Sequence, residues 1–277
     1  MNRARVGGVL LTAVLAVVLC APAWGQQGGE LTQGDLQVQH GQVDWTNRTI
    51  TATGSGAPDL KAPNVAVARL GAERVAKMDA LRNILEVLKG VQLDSAITVE
   101  KEMVTNSKMR ARVQGLIRNF KVLKTKYYSD GGVDLVVQVS LDGPLGSALV
   151  KPGGQGANLP ASGQAPGSGL IIDARGLKVM PALAPRILDE DGKVVYGANI
   201  LDQKVLEQKG VLAYYKDLAA ARKSSRAGSK PLVVKALRLA EGSRTDVVIS
   251  NADAVKLRDP NANLQFLAQG RVLLVTN

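Results

Sequence analysis

The chain has 277 residues and a formal charge of +11, with 35 Lys and Arg against 24 Asp and Glu. A hydrophobic content of 45% excludes a wholly disordered chain, and the length holds one or two domains. One His and one Cys exclude most multi-His or multi-Cys metal sites, disulfide frameworks and Cys–His catalysis, and 3% aromatics argue against stacking platforms for single-stranded nucleic acid.

Residues 1–25 read as a secretory signal. Arg3 and Arg5 are basic, Val6 to Cys20 is uncharged and apolar, and Ala21-Pro22-Ala23 and Ala23-Trp24-Gly25 offer small-residue cleavage sites. The apolar run is roughly 15 residues, short of the about 20 that span a bilayer. A retained anchor and lipidation at Cys20 are the competing readings; Leu19 departs from the small residue that a bacterial lipobox places before its Cys. Cleavage after Gly25 removes Cys20 and two of the positive charges, leaving +9. The rest should be an exported protein, periplasmic or associated with the outer membrane.

Residues 143–169 contain eight of the 29 Gly and four of the 11 Pro, with no Asp or Glu. The composition predicts a flexible linker. It divides the mature chain into domains over 26–142 and 170–277, each large enough for its own core.

In the first domain, Leu36-Gln37-Val38, Val43-Asp44-Trp45 and Ile50-Thr51-Ala52-Thr53 predict hairpin strands, and Gly54-Ser55-Gly56-Ala57-Pro58 predicts their end. Asn64 is an N-cap candidate for a long helix. Its expected core face is Leu70, Val75, Met78, Leu81, Ile84, Leu85 and Leu88, and Gly90 is its expected stop. A short strand near 96–99, a helix over about 102–113 and strands over 117–128 and 133–141 follow. Asp130-Gly131-Gly132 marks the last turn. In the second domain, strands are expected at 169–174, 232–239, 247–249 and 271–275, with a hairpin over 188–196 turning at Asp191-Gly192. Helices are expected near 202–208, 216–222 and 252–257. The fold class is α+β: two small domains, each with helices packed on a mostly antiparallel sheet.

Some of these residues resemble a known family. Val43-Asp44-Trp45-Thr46-Asn47, Ile50 to Gly56, and the helix with Ala72, Ala76, Ala80 and Arg82 are similar to the Lpp-twenty-type outer-membrane lipoproteins. So are Gly115, Lys126-Tyr127-Tyr128, Asp130-Gly131 and Val137 to Leu141. That family is similar in turn to the N-terminal domain of flagellar assembly proteins that ring the outer-membrane end of the basal body. The resemblance covers about residues 36–142. Residues 169–176 and 245–251 look like the tail that accompanies this domain in exported proteins. The resemblance implies a flagellum-associated envelope protein that works by binding and assembly. It carries over no catalytic residues.

The residues themselves offer little chemistry. His40 is the lone imidazole and has no nucleophile–carboxylate arrangement near it. Asp189-Glu190-Asp191-Gly192 lacks the alternating ligands of a calcium loop and reads as a turn. Gly228-Ser229-Lys230 lacks the upstream glycine of a phosphate loop. Asn47-Arg48-Thr49 fits a glycosylation sequon and equally a turn. The functional lead is a run of bases without an acid: Lys108, Arg110, Arg112, Arg118, Lys121, Lys124 and Lys126. Such a surface attracts an acidic protein or an anionic lipid or polymer, and is also what the solvated face of a basic protein looks like. Arg222-Lys223-Ser224-Ser225-Arg226 is a second such cluster. Export makes nucleic acid an unsuitable partner. The expectation is therefore a non-enzymatic envelope protein without catalytic, metal or cofactor residues, whose partners are envelope or flagellar proteins. The alternative is a binding module for anionic glycolipid or cell-wall polymer. A hydrolase built on paired carboxylates is the third reading.

Overall fold

The computed structural model describes residues 37–38 and 41–276. The expected signal, Cys20 and His40 lie outside the described residues. The protein is α+β, with two sheets.

The first lobe opens with strands β1 (Gln37–Val38), β2 (Gly41–Asp44) and β3 (Thr49–Gly56). The β2–β3 turn is held by the Asp44 carboxylate, which accepts from the Thr46 and Asn47 amides at 2.9 Å. Helix α1 (Val65–Gly90) starts at Asn64, whose side chain accepts from the Val67 amide at 3.0 Å. After α2 (Val99–Thr105) and α3 (Ser107–Leu116) come β4 (Lys121–Tyr127) and β5 (Val133–Ser140). The sheet order is β1-β2-β3-β5-β4, antiparallel throughout. On β5, Val133, Leu135, Val137 and Val139 alternate into the core, as their spacing predicts.

Three local expectations need correction. The single helix over 102–113 is two helices, because Asn106 sits in extended backbone (φ −120°, ψ 92°), ends α2 and caps α3 through the Met109 amide. Residues 96–99 do not form a strand; 96–98 are a loop held by a bridge between Gln92 and Thr98, and Val99 opens α2. Gly90 belongs to α1, and the chain leaves that helix through extended Val91.

The larger correction concerns the face of α1. Its buried stripe is Ala68, Ala72, Ala76 and Ala80, followed by Ile84, Val87 and Leu88. Leu70, Val75 and Met78 point outward, at 59%, 52% and 64% exposure. The cause lies in β3, where Gly54 and Gly56 sit inside the strand rather than ending it. A Cβ at Gly54 would stand 2.2 Å from the Ala76 carbonyl oxygen, and one at Gly56 would stand 1.9 Å from that of Ala72. The helix backbone lies so close to the strand that only small residues fit between them. The larger apolar residues are left on the flanks.

Residues 143–169 are not a flexible linker. Their start is α4 (Pro144–Leu149), with Leu145, Leu149 and Val150 buried, and Gln155–Asn158 forms a 3₁₀ turn. The segment is stitched to the second lobe: the Gly153 amide donates to Ala198 O at 3.0 Å, Gly154 to Leu201 O at 2.9 Å, and Leu264 to Pro160 O at 2.9 Å. Several of its glycines, Gly146, Gly153, Gly163, Gly167 and Gly169, serve close approach. Gly163, at φ +89°, lies where a Cβ would be 1.9 Å from Asn261 O.

The second lobe contains β6 (Leu170–Asp173), β7 (Ile187–Leu188), β8 (Val194–Tyr196), α5 (Gln203–Lys209), β9 (Ala213–Tyr215) and α6 (Leu218–Lys223). It continues with β10 (Leu232–Leu239), β11 (Val247–Ile249), α7 (Asn251–Lys256), α8 (Gln265–Ala268) and β12 (Val272–Val275). The order is β8-β7-β11-β10-β6-β12-β9. Here the sheet departs from the mostly antiparallel expectation. The β11–β7, β10–β6, β6–β12 and β12–β9 pairs are parallel. The reason is legible in burial: β11 and β12 are buried at every residue and β6 at all but its last, the signature of strands covered on both faces. One face carries Ile171, Leu273 and Val275 against Ala221 of α6. The other joins Leu170, Ile172 and Leu274 to a cluster that includes Trp45, Val91 and Leu149 of the preceding segments.

The described residues therefore form one compact unit. The ring of Tyr214 meets Trp45 edge-on, with centroids 5.5 Å apart, and its hydroxyl exchanges hydrogen bonds with the Ala182 backbone. The Leu183 and Ala184 amides donate to Gln92 O and Leu93 O at 3.0 and 2.8 Å. Buried Arg48 spans the lobes, binding Asp142 at 2.6 Å and donating to Leu212 O at 3.1 Å. Among the described residues, no helix is long and apolar enough to cross a membrane.

Candidate functional site

The seven candidate bases do not form a single patch. Lys108 and Arg112 lie four apart on α3, both exposed. Arg110 turns back to cap α2, its Nε donating to Met103 O at 2.9 Å. Arg118, in the turn before β4, faces a groove beside α1. Lys121, Lys124 and Lys126 lie opposite Gln138, Val136 and Asp134 of β5. Those three partners alternate along β5, so all three lysines project from the sheet face away from α1. A bulge at Leu123 makes this work: without the extra residue, Lys121 would face the other way from Lys124.

β4 is an outer strand of its sheet, exposed over nearly its whole length. None of the seven bases takes part in an ion pair among the described residues. Lys126 is nevertheless engaged, standing 4.5 Å above the Tyr128 ring. The Tyr128 hydroxyl donates to Asp134 at 2.5 Å, and this bond is the main reason the Asp134 carboxyl titrates below its ordinary value. Lys121 and Lys124 therefore carry most of the uncompensated charge on this face.

In the second basic cluster, Arg226 is structural. Its guanidinium donates to the carbonyls of Lys209 (2.6 Å), Gly210 (3.2 Å), Val211 (3.1 Å) and Gly270 (2.7 Å), and burial pushes its pKa down to about 10.

Asp189 begins a hairpin turn, as its sequence context predicts. The side chain is buried, accepts from the Asp191 and Lys193 amides, and binds Arg258 Nη1 at 2.6 Å. The Arg258 bond is the leading reason its carboxyl titrates below the usual range, so the ionised form stabilises the fold. That stabilisation is present at neutral pH and is lost as pH falls through the lowered value. Asp189→Asn should lower the urea midpoint at pH 7, and the gap to wild type should begin to close below about pH 4.

A cleft of about 530 Å³ lies between Leu93–Ala96, Lys151 and Arg186. The Arg186 guanidinium is already committed to Asp246 at 2.7 Å and to Ser95 at 3.0 Å. Among the described residues, no group of three or more His, Cys, Asp or Glu is placed to hold a metal ion.

With this geometry in view, the chain can be set beside known proteins. Residues 169–277 match the model of a family described as the second domain of Tp0624 from Treponema pallidum. The match begins where the second lobe begins, just before β6, and runs to the end of the chain. No curated protein matches the chain. The Tp0624 second-domain match thus covers the parallel-centred sheet and leaves the candidate bases outside it.

The sequence reading missed the groove next to Arg118. Met78, Leu81 and Leu85, which line it, were expected in the core. The signal that could have revealed it was the alanine repeat at 68, 72, 76 and 80, paired with Gly54 and Gly56.

Proposed function

We propose that the protein is a non-enzymatic, exported component of the bacterial envelope that works by binding and assembly at the outer membrane. The resemblance of residues 36–142 makes the flagellar basal body the assembly to test first. The observation that carries the reading is the β4 face, where Lys121 and Lys124 project from an outer strand without an acidic partner among the described residues. A desolvating anionic partner gains from such charges what bulk solvent would otherwise screen.

The deciding experiment is co-purification of the tagged protein under mild extraction, together with a deletion strain. Recovery with basal-body rings and a swimming defect are the expected results. Intact flagella and normal swimming in the deletion strain would remove the flagellar assignment.

The same lysines favour a second reading, an anionic glycolipid or cell-wall polymer as the ligand. Purified protein should then bind protein-free envelope polymer in a salt-sensitive way. Reversal of Lys121, Lys124 and Lys126 to Glu should weaken that binding by roughly tenfold or more. Unchanged binding by the triple variant would exclude the electrostatic surface under either reading.

A further inference from the structure

Helix α1 packs on β3 and β5. β4 lies beyond β5, at the margin of the sheet. Its residues Val122, Thr125 and Tyr127 stand opposite buried Val137, Leu135 and Val133, so they share the face that α1 covers elsewhere. Val122 and Tyr127 are 40% and 52% exposed.

The flank of α1 on this side is apolar as well. Val67, Leu70, Met78, Leu81 and Leu85 follow helical spacing, and the first three are 45%, 59% and 64% exposed. The helix and the strand run side by side. Arg69 lies over the Tyr127 ring at 5.3 Å at one end, and Leu81 and Leu85 share a groove with Ile117 and Phe120 at the other. The groove measures about 710 Å³, and Lys77, Arg82 and Arg118 stand at its rim. Glu73 and Asp79 pair with Lys77 and Arg82, whereas among the described residues Arg118 has no acid partner and neither does Arg74, which sits between Leu70 and Met78 on the helix.

We propose that this trough docks an acidic amphipathic helix from a partner polypeptide. The inference deepens the binding role proposed above and rests on it. The shape is a helical wall beside an uncovered strand floor, the place a second helix takes when a layer of helices covers a five-stranded sheet. An exposed apolar strip of this kind, interrupted at Arg74 and rimmed by charge, marks an interaction surface rather than scattered exposure. With Lys77 and Arg82 already paired, the remaining bases Arg69, Arg74 and Arg118 set the sign of the partner. They also disfavour a second copy, which would bring the same bases against one another. Strand addition to β4 is opposed by the bulge at Leu123 and by the lysines along the edge.

The test uses the full mature chain and two labelled synthetic helical peptides of about five turns. One has a leucine face and glutamates elsewhere; the other has lysines in place of the glutamates. The Leu/Glu peptide should bind saturably, and the Leu/Lys peptide should bind at least roughly tenfold more weakly. Leu70→Glu and Met78→Glu, both at exposed positions, should each weaken the Leu/Glu peptide by a similar factor. Val104→Glu, at a 68% exposed site on α2, should leave binding unchanged. Circular dichroism of each variant keeps folding separate from binding. Equal affinity for the two peptides, absence of saturable binding, or full affinity in Met78→Glu would overturn the proposal. A dimer in sedimentation that Met78→Glu abolishes would assign the trough to a second copy and overturn it as well. If the trough fails while envelope binding still depends on the β4 lysines, the broader binding role stands without it.

Discussion

Gly54→Val should abolish or nearly abolish folding, and Gly54→Ala should cost about 2–4 kcal/mol in urea denaturation. Even an alanine Cβ would stand 2.2 Å from Ala76 O, 2.3 Å from the Ala80 amide nitrogen and 2.6 Å from Ala80 Cβ. Two of those atoms are backbone, so no side-chain rotation relieves the clash; α1 must move off β3 as a body. That movement would open the seam between the alanine stripe and Ile50, Ala52 and the β5 valines. The penalty therefore combines overpacking at one point with lost packing along the helix. Gly71→Ala is the control. It lies in the same helix with nothing within 4 Å of the added methyl, and should be neutral or stabilise by about 0.5–1 kcal/mol. Equal midpoints for the two alanine variants would show that the close approach of helix and strand does not limit stability.

Arg226→Ala should be the costliest charge deletion, at about 3–5 kcal/mol. The guanidinium satisfies four carbonyls from two separate stretches, 209–211 at the end of α5 and Gly270 before β12. Removing it leaves those oxygens unpaired in a buried place and removes the tie between the stretches. Arg226→Lys should recover less than half of the loss, because one ammonium cannot reproduce the planar fork of donors. The measurement is the urea midpoint at constant slope. A cost below about 1 kcal/mol for Arg226→Ala would mean that water replaces the guanidinium at little expense.

The strands and helices of this fold were largely legible where one residue type both packs and signals its face. The alternation of Val133, Leu135, Val137 and Val139, the Asp-Gly turns and the Asn64 cap are of that kind. The face of α1 was not legible by hydrophobicity, since Leu70 and Met78 outrank alanine on any transfer scale, while the steric demand of Gly54 and Gly56 selects alanine. The parallel pairing of the second sheet was obscured for a related reason: short, wholly apolar runs such as Val272–Val275 have no alternation to read. The stretch 143–169 misled through composition, because the glycines that loosen a chain in isolation also permit backbones to touch. Of the candidate site, the basic residues were visible, but the alignment of Lys121 with Lys124 and Lys126 on one face depends on a bulge that spacing alone does not reveal.

The packing of Trp45 on Tyr214, and of Gln92 and Leu93 on Leu183 and Ala184, bears on how this protein can be dissected. A gene fragment starting at residue 169 follows the edge of the family match, yet it would express a sheet stripped of half its cover, with Tyr214 and Ala182 newly wet. Behaviour measured on such a fragment, including aggregation or adhesion to other proteins, would report on a cut surface. Intact chains with point substitutions are the sound material for assigning roles to either half.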